Sequence, residues 1–345
     1  MRPDARPVAG LSVVVLGGTG FLGRHIGEAL AALGARVHPV SRTAGYDPAQ
    51  VRTPVRLDLL AAAPEEIVRL LDSTGADVVV NAAGRVWRAD EEQMVAGNAE
   101  LVERLVEALA ELPSPPVRLV QLGSVHEYGA GALDAATDEN HAPTPVTGYG
   151  RTKLLGTRAV LRAASERGVD GVVLRLANVI GGGVSEGSLF GRVAAHLGEA
   201  ARADARGEKA AELRLPPLRA ARDLVDAGDA VAAVLAAATA PGAAVTGQVI
   251  NVGRGEAVSM RELIHRMVSL SGLDVPVVED PEGAIARTDV AWQQLDIARA
   301  ERLLGWRPRR NLDDSLRDLL TSVLPPGHRP LGGTTNTSDM EEGSL

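Results

Sequence analysis

Ser12-Val13-Val14-Val15-Leu16-Gly17-Gly18-Thr19-Gly20-Phe21-Leu22-Gly23-Arg24-His25-Ile26 is the stretch on which the fold turns. A strand-length apolar run leads into Gly17, Gly20 and Gly23, spaced GxxGxxG, and a helical pattern then continues to Leu33. Glycine lets the backbone turn tightly and approach a pyrophosphate. The helix N-terminus adds free N–H groups and the positive end of a dipole. Glycines alone would read as a plain turn before a helix. The strand before them and the helix after them supply the context of a dinucleotide site, with Phe21 and Leu22 at the helix entry.

Outward from this unit, short Val- and Leu-rich runs recur at 36–40, 55–57, 77–81, 117–122 and 171–176, with helical patterns between them. That alternation predicts an α/β fold, a Rossmann-type doubly wound parallel sheet, over residues 11–177. Past Asn178 the pattern loosens around 181–187, 199–217 and 275–287, with returning elements such as 248–252. A smaller C-terminal substrate-binding lobe is expected over 178–324. Residues 1–10 read as a flexible N-terminus and 325–345, rich in Pro, Gly, Thr and Ser, as a disordered tail.

The 345 residues, 45% of them hydrophobic, suffice for a large core, and no apolar run approaches the roughly 18 residues of a bilayer span. A soluble protein without a membrane partner is expected. The first ten residues lack the apolar core of a secretory signal, which points to the cytoplasm. Zero cysteines exclude disulfides, thiolate metal sites and a cysteine nucleophile. A net charge of -8 argues against a nucleic-acid partner, whose phosphates need clustered cations.

NAD-specific sites usually end the second strand in Asp or Glu, about 20 residues after the glycines. Ser41-Arg42-Thr43 stands there instead. A guanidinium can pair bidentately with a 2'-phosphate, although it can also be an ordinary surface arginine. The reading favours NADP(H) and leaves NAD(H) open. Asp58, followed by Leu59, is a candidate acceptor for the adenine amino group, and Ala82-Ala83-Gly84 would pass the cofactor with small side chains.

Tyr149 and Lys153 lie four residues apart at the start of a predicted helix and so share one face. A nearby ammonium is expected to pull the phenol towards working pH, so that it exchanges a proton with a substrate oxygen while nicotinamide exchanges hydride with the attached carbon. Ser124, at a strand end, would hydrogen-bond the same oxygen.

These pieces resemble the extended short-chain dehydrogenase/reductase family, of the NAD-dependent epimerase/dehydratase type, over roughly 11–324. The resemblance rests on Gly17 to Gly23, Asn81 to Gly84, Gly123-Ser124-Val125-His126-Glu127-Tyr128-Gly129, Tyr149 to Lys153, Arg175 to Gly181, Arg222-Asp223-Leu224 and Asn251-Val252-Gly253. It implies Ser124, Tyr149 and Lys153 as catalytic groups and Asn98 as a structural or proton-relay residue beside the cofactor. It also implies that Asn178, Arg222 and, one residue out of register, Arg287 meet the diphosphate of a nucleotide sugar. Aromatic content is 2%, which leaves Phe190 as almost the only ring available to stack on a substrate base. Many relatives pair through two long helices, here matched by 91–112 and 149–167, so a homodimer is implied.

Relatives that dehydrate sugar nucleotides carry an Asp-Glu pair where this chain has Val125 and His126. Valine transfers no proton, which disfavours dehydration. His126 can be an acid or a histidine packed beneath Tyr128. The resulting expectation is NADPH-dependent reduction of a nucleotide-diphosphate 4-keto-6-deoxysugar. A 4-epimerase with tightly bound NAD and a non-catalytic NADP(H)-binding sensor stand as alternatives.

Overall fold

The computed structural model describes residues 6–42, 55–86, 89–112, 116–280 and 290–332. The chain runs through β1 (Ser12–Leu16), α1 (Phe21–Ala32), β2 (Arg36–Ser41), β3 (Val55–Arg56), α2 (Pro64–Thr74), β4 (Val78–Asn81), α3 (Glu91–Val95), α4 (Leu101–Glu111), β5 (Arg118–Ser124), α5 (Gly148–Arg167) and β6 (Gly171–Leu176). It continues through β7 (Asn178–Ile180), α6 (Leu189–Asp204), β8 (Leu213–Leu215), β9 (Ala221–Asp226), α7 (Ala227–Thr239), α8 (Gly242–Val245) and β10 (Val249–Val252). The last described elements are β11 (Ala257–Ser259), α9 (Met260–Ser271), β12 (Val277–Glu279), β13 (Trp292–Gln293), α10 (Ala298–Leu304) and α11 (Leu312–Thr321).

Seven strands form one sheet in the order β3-β2-β1-β4-β5-β6-β10, with every pairing parallel. Parallel neighbours need crossover connections, and the crossovers put helices on both faces. For that reason β1 reads as an unbroken apolar run rather than an alternating one, and all five of its residues are fully buried. Val13 and Val15 pack on one face with Ile26 and Leu30 of α1 and Val234 of α7. Val14 and Leu16 pack on the other with Ile67 of α2, Leu105 of α4 and Val160 of α5. Fully burying such a side chain contributes about 1.5–3 kcal/mol.

Another apolar cluster gathers Leu197 of α6, Leu213 of β8, Leu263 and Met267 of α9 and Leu316 and Leu320 of α11. β9 joins the two regions, because Leu224 faces this cluster while Val225 faces the large sheet's core. Asp223, which precedes them on β9, is fully buried and accepts backbone N–H groups from Arg254, Gly255 and Leu295. Burial pushes its carboxyl up to about 6 against those hydrogen bonds.

The structure adds detail to these expectations. The segment 91–112 is interrupted by a π-helical turn at Ala96–Glu100, and β5 runs on to Ser124 itself. Within the expected flexible N-terminus, Arg6 donates its backbone N–H to Thr239 O (3.0 Å). Within the expected disordered tail, Leu331 N donates to Leu270 O (2.7 Å) and His328 bonds Ser271 O (2.8 Å), because α9 ends in free carbonyls that these residues cap. Residues 1–5 and 333–345 lie outside the described residues. No described helix is long and apolar enough to cross a membrane.

Candidate active site

The glycine loop is shaped by what it must pass. Gly17 has φ +73°, and a Cβ there would stand 2.8 Å from Ala83 N, while one on Gly23 would collide with the Gly17 carbonyl. Only glycine lets β1, α1 and the loop after β4 converge this closely. The cleft they enclose is lined by Gly17, Gly20, Ser41, Arg42, Asp58, Leu59, Ala82, Ala83 and Gly84, nine of the residues expected to meet a cofactor. Phe21 and Leu22 begin α1 at its edge, and Gly23 is buried beneath the loop. The first turn of α1 carries no acidic residue, as an anion would require. Arg42 is exposed at the rim, and the Thr19 and Ser41 hydroxyls are 3.0 Å apart. These residues fit a dinucleotide. Arg85, Gly97 and Leu101 line the same cleft, although no sequence motif marks them.

Asn98 lies in the π turn, a feature that often accompanies functional sites. Its amide is committed to protein: Oδ1 accepts from Arg85 N (2.9 Å), and Nδ2 donates to Arg85 O (2.8 Å) and Thr152 Oγ1 (3.0 Å). It therefore clamps the loop after β4 onto the helix that carries Tyr149 and Lys153.

That helix, α5, starts at Thr147, whose hydroxyl accepts from Gly150 N (2.9 Å). Gly150 and Gly156 lie so close to the His126 and Asn98 carbonyls that a Cβ on either would collide with them. The approach brings the Tyr149 hydroxyl into a hydrogen bond with the Ser124 side chain. Tyr149 is partly exposed as a residue, yet its hydroxyl end is enclosed. Burial pushes the phenol up to about 12, the Ser124 hydrogen bond works against this, and the Glu127 carboxylate adds to it. The expected pull of Lys153 is not what sets this phenol. The ammonium donates to Leu122 O (2.5 Å), and its own value is lowered by burial and supported by Glu127. Ser124, Tyr149 and Lys153 are thus brought together, with the phenol held protonated.

His126 meets Tyr149 edge-on at 5.7 Å, while Tyr128 is met by His141 at 5.9 Å. Asn178 Nδ2 donates to Asp223 O (3.1 Å), which places it beside the strand of Arg222. Arg222 is 8% exposed and stands in register with Gln293 of β13. Gln293 is 2% exposed, and among the described residues neither polar atom of its amide has a hydrogen-bond partner, a feature invisible in sequence. Phe190 is not an open stacking platform: as the second residue of α6 it is 7% exposed in the apolar cluster with Leu197. Arg287 lies outside the described residues. Among the described residues no group of three or more His, Asp or Glu could hold a metal ion.

A profile of the NAD dependent epimerase/dehydratase family matches residues 13–253. The dTDP-6-deoxy-L-talose 4-dehydrogenase (NAD(P)(+)) of Kitasatospora kifunensis is 45% identical over 90% of this chain and 95% of its own. The GDP-6-deoxy-D-mannose reductase of Pseudomonas aeruginosa is 25% identical over 89% and 95%. Among solved structures, MoeE5 in complex with UDP-glucuronic acid and NAD superposes with a TM-score of 0.74 at 26% identity, covering 90% of this chain and 98% of that one. The chain belongs to the NAD dependent epimerase/dehydratase family and is an NAD(P)-dependent oxidoreductase of the extended short-chain dehydrogenase type.

Proposed function

We propose that the chain uses NADPH to reduce the 4-keto group of a nucleotide-diphosphate 4-keto-6-deoxyhexose, with a thymidine-diphosphate sugar as the first substrate to try. The carrying observation is the protonated Tyr149 phenol hydrogen-bonded to Ser124, a proton donor and a polarising hydroxyl arranged for one oxygen. When bound, the dihydronicotinamide supplies a hydride to C4 of the sugar. Ser124 orients the keto oxygen and Tyr149 gives it the proton, while Lys153, one helical turn on, holds the strand before Ser124 through Leu122 O. Ketone, NADPH and a proton become alcohol and NADP+. The 45% relative is named for dehydrogenation at position 4 of a dTDP-6-deoxyhexose, which is this step in reverse.

Arg42 at the rim of the cleft, with no carboxylate ending β2, supports NADPH over NADH. Arg222 and Asn178 are the proposed diphosphate contacts. Val125 is buried and apolar where dehydration needs an acid, so elimination is not part of the proposal. A homodimer built on α4 and α5 completes it.

The test is NADPH oxidation with a panel of dTDP-, GDP- and UDP-linked 4-keto-6-deoxyhexoses, with product configuration read by NMR. Consumption of one NADPH per 4-hydroxyl formed is expected. Conversion of a sugar nucleotide to its 4-epimer without NADPH loss would replace the proposal with an epimerase, and binding without turnover of any sugar would leave a sensor. Arg42→Asp should weaken NADPH binding about 10-fold or more, the loss of a charged hydrogen-bonded pair, and reverse the preference. A wild-type chain that prefers NADH would overturn the cofactor assignment.

A further inference from the structure

Glu127 stands between the catalytic serine's turn and the fully covered ring of Tyr128, and its side chain is itself fully buried. A carboxylate in such a place is costly unless its oxygens are satisfied. Here they are, and by partners from three elements. Oε1 accepts from the backbone N–H of Ser124 (2.8 Å), and Oε2 accepts from Thr157 Oγ1 and from Arg175 Nε, both at 2.8 Å. Thr157 is one helical turn beyond Lys153 on α5, and Arg175 lies on β6 with its guanidinium 4.4 Å from the Tyr128 ring centre. A Cβ on Gly123 would come within 2.7 Å of Oε1, so the glycine before Ser124 makes the room.

We propose that Glu127 is a positioning residue for the proton donor: one carboxylate locks Ser124 and the Tyr149 helix against each other and supplies the negative charge that both the phenol and the Lys153 ammonium feel. The inference rests on the reductase reading for its kinetic consequences, but not for its geometry. Ser124 and Glu127 form a capping box in which the serine hydroxyl accepts from His126 N (3.3 Å) while the carboxylate holds the serine's own N–H. The hydroxyl that meets Tyr149 is thereby fixed from both sides. Around the phenol stand Ser124 and Glu127 from the β5 end and the edge of His126 from the same turn, while Lys153, on the phenol's own helix, donates to Leu122 O and faces Glu127. Around Glu127 stand Arg175, Lys153 and Tyr149, with neutral Thr157 and Ser124. Removing the carboxylate leaves Arg175 and Lys153 as two unbalanced cations. The phenol then loses its proton at lower pH.

The sequence contains three tyrosines, Tyr46, Tyr128 and Tyr149, so 13C-tyrosine NMR gives three ring signals assignable with single Tyr→Phe variants. In Glu127→Gln the Tyr149 signal should titrate about one unit lower or more. The alkaline limb of the reduction rate should move down with it, and kcat should fall about 10- to 10²-fold for a displaced donor with little change in KM. Thr157→Val removes one hydrogen bond and keeps the charge, so its Tyr149 titration should match the wild type. Should Glu127→Gln fail to fold, Glu127→Asp decides: the charge stays while the shorter reach cannot bridge all three partners, so kcat should drop with the tyrosine titration unmoved. An unshifted Tyr149 titration in Glu127→Gln, or wild-type kcat in Glu127→Asp, overturns the proposal. The titration needs no substrate, so a chain that reduces no keto sugar at all would refute the reductase reading and leave this test standing.

Discussion

Tyr149 carries opposite requirements for the two directions of the reaction. Reduction needs the phenol with its proton on, and alcohol oxidation needs it off. With the group pushed up to about 12, reduction should be flat through neutral pH and fall only in strong alkali, while oxidation should climb with pH towards that value. Tyr149→Phe should lower turnover by about 10²- to 10⁴-fold and leave cofactor binding intact. Ser124→Ala should cost less, because the donor remains. Matching pH profiles in the two directions, or near wild-type turnover in Tyr149→Phe, would sink the assignment. Gln293 poses a different problem at the same scale. A buried amide with both polar atoms unpaired costs about 1–3 kcal/mol, so Gln293→Leu, of similar size, should raise the melting temperature if no structural need is served. A lowered melting temperature would show that the amide finds partners in solution.

At the scale of elements, α1 separates two kinds of glycine. Gly23 faces the Gly17 carbonyl with no room for a methyl group, whereas a Cβ on Gly27, four residues on, meets nothing nearer than a Val37 methyl at 3.7 Å. Gly23→Ala should therefore abolish NADPH binding, and Gly27→Ala should stabilise the fold by about 0.5–1 kcal/mol with binding unchanged, both measurable by thermal melts with and without cofactor. Equal binding by both variants would refute this account of the loop. The same contrast explains what could be read in advance. β1 and β4 were legible because burial on both faces leaves Val and Leu runs, and the glycine spacing marked the loop. The π turn at Ala96–Glu100 was not, since it buries the consecutive Gly97, Asn98 and Ala99, two small residues and an amide that form no apolar signal. Glu127 was hidden for a related reason: its partners Thr157 and Arg175 are 30 and 48 residues away, and a lone glutamate in a turn reads as solvated. The burial of Phe190 in the apolar cluster was also hidden, because scarcity of aromatics says nothing about which face of α6 is covered.

Across the whole molecule, α4 and α5 lie side by side on one face of the sheet, and Glu91–Arg151 (3.7 Å), from α3 ahead of α4, and Glu103–Arg162 (3.6 Å) show that they run in the same direction. The outward ridge at α4 is acidic, with Glu100, Glu103, Glu107 and Glu111 all exposed, and that of α5 is basic, with Arg151, Arg158 and Arg162 around exposed Leu155. Exposed pairs within one copy contribute little, so these charges remain available to a partner. A two-fold axis across the helices would lay acid ridge on acid ridge. An axis along them lays α4 of one copy on α5 of the other, which satisfies the self-complementarity of an isologous contact. Charge pattern thus selects one arrangement of the proposed homodimer and predicts how it responds to salt. With a screening length of about 10 Å at 0.1 M falling to about 3 Å at 1 M, sedimentation should report a dimer at low ionic strength and a shift towards monomer at high. Glu100→Arg should weaken the dimer, and adding Arg158→Glu should restore it, since these two positions stand at the same height and the reversed charges meet again across the axis. A mass indifferent to salt and to both reversals would mean that the ridges are solvated surface and that the copies, if they pair, do so elsewhere.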